Sequence, residues 1–173
     1  YCTVTDLRFD GNSEHTGNYG VSCGSTRSVS NTVANNSFTN CSFAIVVYGS
    51  QNIVTGNDIY ASSTGIYVGG QNNLITANYC MNNEYGIKVQ ENNNTITGNP
   101  CSKNGVGIYV TSSENLITNN NCGSNEKGID FSYSNENTVT GNACNSNTEN
   151  GMDISGSSNI ITGNSCNNNE RNG

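Results

Sequence analysis

Tryptophan is absent from this sequence, and proline and histidine occur once each. Lysine and arginine number six among 173 residues, against thirteen acidic residues, so the net charge is −7 and the pI is near 4.4. So few, scattered cations exclude a nucleic-acid partner, because nothing neutralises phosphates in number. No run of 18 apolar residues occurs, which excludes a membrane-spanning helix. With one histidine, His15, and no Cys-x-x-Cys spacing, the chain offers no tetrahedral metal set, and no cofactor is expected. No leader pattern is visible, and a chain opening on Tyr1 without Met is expected to be already processed.

What is present is polar and biased. Hydrophobic residues make up 32% and charged residues 11%, and Asn is the commonest residue. That bias fits either disorder or one structural unit copied many times. Eight cysteines in an acidic, Asn-rich chain point to export into an oxidising space, although a cytosolic chain also buries thiols.

Spacing decides between disorder and repetition. NTITGNPC (Asn94 to Cys101) returns as NTVTGNAC from Asn137 and NIITGNSC from Asn159, with looser copies from Asn73 and Asn115. Its first Asn falls at Asn31, Asn52, Asn73, Asn94, Asn115, Asn137 and Asn159, at intervals of 21 and then 22 residues. The second keeps step at Asn36, Asn57, Asn78, Asn99, Asn120, Asn142 and Asn164. Two positions locked through seven copies mark a solenoid. Between them runs an apolar column from Val33 to Ile161, and after them a column of Phe38, Ile59, Cys80, Cys101, Cys122, Cys144 and Cys166. A Gly-Ile-x-Val element adds pairs such as Ile66/Val68 and Ile108/Val110. Apolar residues two apart, flanked by Gly and Asn, read as short strands with alternate side chains inward.

CTVTDLRF from Cys2 overlays NTVANNSF from Asn31. Residues 1–30 therefore form an irregular first coil with a surface insertion around GNSEHTGNY, and residues 31–173 form regular coils that stop in mid-coil. A 21-residue circuit at about 3.3 Å per residue is about 70 Å long, which suits three short strands per turn. The expected fold is all-β: a single-stranded parallel β-helix, or β-solenoid, of about eight coils in one domain.

The unit NxIxGNxC…NxxGIxVxxSxN resembles the right-handed parallel β-helix repeat of pectate-lyase-like and NosD-like proteins, over essentially the whole chain. The resemblance implies the right hand, in keeping with the general handedness of parallel crossovers. It also implies that an enzyme on this fold would carry clustered carboxylates on an exposed strand, with a Lys, Arg or His base and often Ca²⁺. Lyases, epimerases, adhesins and surface-layer proteins share the repeat, so the fold alone does not choose among them.

Each column has an expected task. The Asn columns are scaffold: Asn tolerates left-handed backbone at turns and can bond its equivalent one coil away. Cys80, Cys101, Cys122, Cys144 and Cys166 are either strained disulfides or buried thiols, with the thiol favoured because in-register side chains run parallel. Cys2, Cys23 and Cys41 lie outside that column, and a disulfide among them would close the first coil or join subunits. Asn35, Asn40 and Asn93 begin glycosylation patterns. Thr55, Thr76, Thr97, Thr118, Thr140 and Thr162 form one outward rank, and Ile53, Leu74, Leu116 and Ile160 interrupt the other. This flat face suits lateral contact with another copy, while its threonines resemble an ice-binding face.

Asp130 and Asp153 are the only catalytic candidates, outward on adjacent coils in a row with Tyr67, Lys88 and Tyr109. Their expected separation of about 5 Å suits a retaining glycosidase or a surface cation such as calcium. Missing caps at both ends, the cysteines and the sparse catalytic set favour an extracellular or cell-surface structural rod. Its expected partner is itself, end to end or laterally, in a sheath, surface layer or filament. The alternatives are a carbohydrate-active or carbohydrate-binding β-helix and an ice-binding protein.

Overall fold

A computed structural model describes residues 2–11, 18–24 and 30–173. The described residues form three parallel sheets and no helix. Sheet 1 runs from Thr3–Thr5 through Thr32–Ala34, Ile53–Thr55, Leu74–Thr76, Thr95–Thr97, Leu116–Thr118 and Thr138–Thr140 to Ile160–Thr162. Sheet 2 stacks Arg8–Asp10, Ser37–Thr39, Asp58–Tyr60, Tyr79–Met81 and Cys101–Ser102, and single bridges at Asn121, Ala143 and Ser165 extend it. Sheet 3 stacks Tyr19–Cys23, Phe43–Val47, Thr64–Val68, Tyr85–Val89, Val106–Val110, Lys127–Phe131 and Met152–Ile154. With eight strands in sheet 1 and seven in sheet 3, the solenoid has seven full turns and part of an eighth.

The repeat dictates this register. Ile75 pairs with Ile96, Cys80 with Cys101, and Ile87 with Ile108, so like sits on like along the axis. The inward columns form one continuous core from Cys23 to Cys144, and most members are completely buried. Each buried aliphatic side chain contributes about 1.5–3 kcal/mol against the ordering of its coil.

Three corners separate the sheets, and one rule describes them all. The first residue has a left-handed backbone, and the second turns its side chain under the preceding coil. In one coil these pairs are Asn72-Asn73, Ala77-Asn78 and Asn82-Asn83, with φ of 57°, 55° and 56° at the first member. The left-handed residue is thus the one before the ladder Asn, not the ladder Asn itself, which corrects the expectation from turn chemistry. The division of labour is physical: the ladder residue must aim its amide along the axis, so its neighbour takes the strained dihedral.

Asn31, Asn52, Asn73, Asn94, Asn115, Asn137 and Asn159 form the first ladder. Each backbone N–H donates to the next side-chain Oδ1 at 2.8–2.9 Å. The second ladder, from Asn36 to Asn164, does the same at 2.8–3.2 Å. A third ladder was not expected: Asn83, Asn104, Asn125, Asn147 and Asn169 continue from Ser62 at 2.8–2.9 Å.

The first coil supplies a strand to every sheet, in register with the second. Its extra length lies in two places rather than one. Eight residues link Asp10 to Tyr19 where three link Thr39 to Phe43, and eight link Cys23 to Thr32 where five link Val47 to Ile53. Most residues of both insertions, His15 included, lie outside the described residues.

Candidate functional site

Five-residue strands and a repeated glycine give sheet 3 the most varied outer surface. In Tyr85–Val89 the third and fifth residues point into the core, and the first and fourth, Tyr85 and Lys88, point outward. Register then aligns two outward rows along the axis. One contains Tyr19, Phe43, Thr64, Tyr85, Val106 and Lys127, and the other ends Tyr67, Lys88, Tyr109, Asp130 and Asp153.

The upper half of this face is aromatic. Tyr19 stacks on Phe43 with centroids 5.5 Å apart, and Tyr67 meets both Phe43 and Tyr48 edge-on at 5.8 Å. Tyr85 and Tyr109 lie 5.4 Å apart, and Lys88 Nζ stands 4.9 Å from the Tyr85 centroid and 5.6 Å from that of Tyr109. Beside Tyr48, a cavity of about 230 Å³ is lined by Ser50, Gly69, Gly70, Gln71 and Glu91. Tyr67 donates to Gln90 Oε1, and Gln71 Nε2 donates to Glu91 Oε2 at 3.1 Å. Burial, then the Tyr48 and Glu91 charges, push the Tyr67 phenol above its ordinary range. Tyr85 is raised by burial and then by Glu84, Tyr109 and Asp130.

The lower half is ionic. Asp130 and Asp153 are register partners, and Lys127 Nζ lies 3.0 Å from one Oδ2 and 3.4 Å from the other. Asn150 Nδ2 also donates to Asp153 Oδ2 at 3.3 Å. The hydrogen bond to Asp130 raises the Lys127 ammonium above its ordinary range, against the opposing effect of its burial. This lysine, missed from the sequence, stands where a bridging cation would sit, so calcium would have to displace it. Both carboxylates are engaged by it, on an open sheet face rather than in a cleft.

The other expected sites are dispersed. Sheet 1 presents the Thr rank and the Ile/Leu interruptions outward with no charged residue in any strand; Ile53 is 40% exposed, Leu116 37% and Ile160 59%. Asn35, Asn40 and Asn93 are exposed corner residues with φ of 58°, 55° and 59°. All eight cysteines are free thiols. Cys80, Cys101, Cys122 and Cys144 are completely buried, and Cys166 is partly buried. Hydrogen bonds between successive thiols, together with burial, hold Cys80 and Cys101 well above the ordinary thiol range; for Cys122 burial is the larger cause.

A family model described as "Periplasmic copper-binding protein (NosD)" matches residues 2–126, well over half of the chain. The chain belongs to the NosD family. No curated protein and no solved structure matches it. Membership agrees with the parallel solenoid and with a place outside the cytoplasm, since the NosD description is periplasmic. The copper of that description finds no fit among the described residues. Copper takes thiolate, thioether and imidazole ligands. Cys80, Cys101 and Cys122 are completely buried and held protonated, and among the described residues no group of three His, Cys, Asp or Glu side chains is placed to hold an ion.

Proposed function

We propose that this NosD-family chain is a structural solenoid of the cell envelope or its exterior that associates laterally with further copies. The observation that carries this reading is the outer face of sheet 1. It is in register through eight strands, has no charged residue in any of them, and exposes Ile53, Leu116 and Ile160. Two such faces mate without burying an unpaired charge, and the exposed aliphatic side chains supply the gain. Sheet, surface-layer and filament assemblies all use contacts of this kind, so the face sets the mode of association and not its symmetry.

Sedimentation velocity and electron microscopy of the full chain test the reading. Association is expected at high concentration, and the double substitution Ile53→Lys with Leu116→Lys is expected to weaken it at least tenfold. Outward positions on an exposed face leave the coil intact, which circular dichroism checks. Wild-type rods that stay monodisperse at high concentration would overturn the proposal, and if they reshape growing ice the face serves ice-water instead.

The aromatic half of sheet 3 favours a second reading, carbohydrate binding. Aromatic rings beside Lys88, Gln71 and Glu91 combine flat apolar surface with hydrogen-bonding groups, the usual mixture of a ligand platform. Tyr85→Ala with Tyr109→Ala is expected to reduce retention on an acidic polysaccharide matrix several-fold. The Asp130→Asn and Asp153→Asn variants separate binding from catalysis, because only an enzyme loses polysaccharide cleavage. Equal retention of the tyrosine variant and wild type would remove this reading.

A further inference from the structure

We propose that on oxidation Cys2 and Cys23, free thiols in this structure, form a disulfide that clasps the first coil, while the other six of the eight cysteines remain thiols. The argument begins with position. Cys2 stands at the first-ladder corner: its N–H donates to Asn31 Oδ1 at 3.0 Å, the bond that Asn31 in turn makes to Asn52. Cys23 closes its sheet 3 strand and pairs with Val47, at the inward position that Val68 and Val89 hold below. In the second, third and fourth coils the same two positions carry Asn31 and Val47, Asn52 and Val68, and Asn73 and Val89. Only in the first coil does this corner hold two sulfurs.

Geometry brings the two residues to one cavity. Cys2 and Cys23 line the same cavity of about 150 Å³, together with Val4, Val21 and Asn31. They also differ in access: Cys23 is 5% exposed, whereas Cys2 is exposed. Burial, and then the nearby Cys2 charge, push the Cys23 thiol up to about 11, so the two groups are close enough to feel each other's ionisation.

The remaining cysteines lack this arrangement. In the column Cys80, Cys101, Cys122 and Cys144 are completely buried and Cys166 is partly buried, so none offers an oxidant the exposed first thiol that Cys2 provides. Cys41 gives its Sγ–H to Thr39 O at 3.4 Å, and its thiol is raised by burial first, with smaller effects of Gly11, Ser62 and Asp10 and none of another cysteine.

The exposed partner sets the order of events. With a small-molecule disulfide such as oxidised glutathione as oxidant, the Cys2 thiol loses its proton and attacks one sulfur, releasing a first glutathione thiolate. Cys23 then loses its proton and attacks the Cys2 sulfur of the mixed disulfide, releasing the second. Two protein thiols become one disulfide, and one glutathione disulfide becomes two thiols. Because the Cys23 thiol titrates near 11, its thiolate fraction and the closing step rise about tenfold per pH unit through neutrality.

The test uses the full chain, folded and exposed to oxidised glutathione, then alkylated after unfolding and mapped by mass spectrometry. The expected product is a Cys2–Cys23 linked peptide with six alkylated cysteines, and a raised Tm that reduction reverses. Cys2→Ser, at an exposed position, is expected to fold, to lose the link and to lose the Tm difference. Eight alkylated cysteines after oxidation, a link to Cys41 or the column, or a Cys2–Cys2 dimer would each overturn the proposal.

Discussion

Replacing Asn99 by alanine is expected to destabilise the solenoid by about 4 kcal/mol or more, from the cost of about 1–3 kcal/mol for each buried polar group left without a partner. Asn99 is completely buried in the middle of the second ladder. Its Oδ1 accepts from the Asn78 backbone N–H at 2.9 Å and from Asn78 Nδ2 at 3.1 Å. Its Nδ2 donates to Ile75 O, Thr97 O and Asn120 Oδ1 at 3.0, 3.2 and 2.9 Å. Alanine removes all five bonds. Asn99→Asp fills the same volume but cannot donate, and sets a charge against two carbonyls, so it should be no milder. Urea titration gives the measurement, and a loss below about 1 kcal/mol would mean that the ladder adds little beyond backbone pairing.

The second large effect is expected at Gly107. A Cβ there would lie 2.6 Å from Gly128 O, 2.9 Å from Asn125 Nδ2 and 3.1 Å from Cys122 Cβ. Two of those neighbours are fixed, one by the backbone of the next coil and the other by the third Asn ladder, so none can move aside cheaply. Gly65 and Gly86 are in the same position, each with a Cβ place 2.5 Å from the next glycine carbonyl. Gly107→Ala should therefore separate adjacent coils locally and cost about 3 kcal/mol, at the upper end for overpacking. Thermal unfolding of this variant beside Gly98→Ala gives an internal contrast. Gly98 has open space around its Cβ place, and at the same corner one coil earlier Ala77 already takes a left-handed φ of 55° against the 65° of Gly98, so its loss should be small. Equal losses at the two positions would remove the close-approach argument.

Both effects follow from a fold that stacks one coil on its own copy. An ordinary core tolerates some relaxation because neighbours differ. Here the neighbour of Gly107 is another glycine at the same position, and the neighbour of Asn99 is another asparagine, so a defect has no room to move along the axis. Stability is then a sum of coil and interface terms, and a broken interface in the middle divides the rod.

Not all of the molecule was equally legible. The third ladder has the same 21- and 22-residue spacing as the others, from Asn83 to Asn169. It was hidden because Cys41 and Ser62 hold its first two places and because Asn is common everywhere around it. Lys127 was hidden for another reason. Its outward direction could be read from the strand, but its reach to Asp130 and across a coil to Asp153 depends on how a long side chain leans. The same holds for the rings of Tyr48, Tyr85 and Phe43, which meet neighbours that are not their register partners or the residues next to them in the chain. In the first coil the overlay on the second left three cysteines as candidates for a disulfide, and only the placed strands show that Cys2 and Cys23 line one cavity.

The amino-acid sequence by itself determined the period, the inward columns, the parallel register and two of the three Asn ladders. It could do so because side-chain direction along a strand alternates strictly and each copy must bury what its neighbour buries. Only the tertiary structure decided which residue of each corner takes the left-handed backbone, which outward side chains converge on sheet 3, and which cysteines share a cavity. Those depend on distances across coils and corners, which spacing along the chain does not encode.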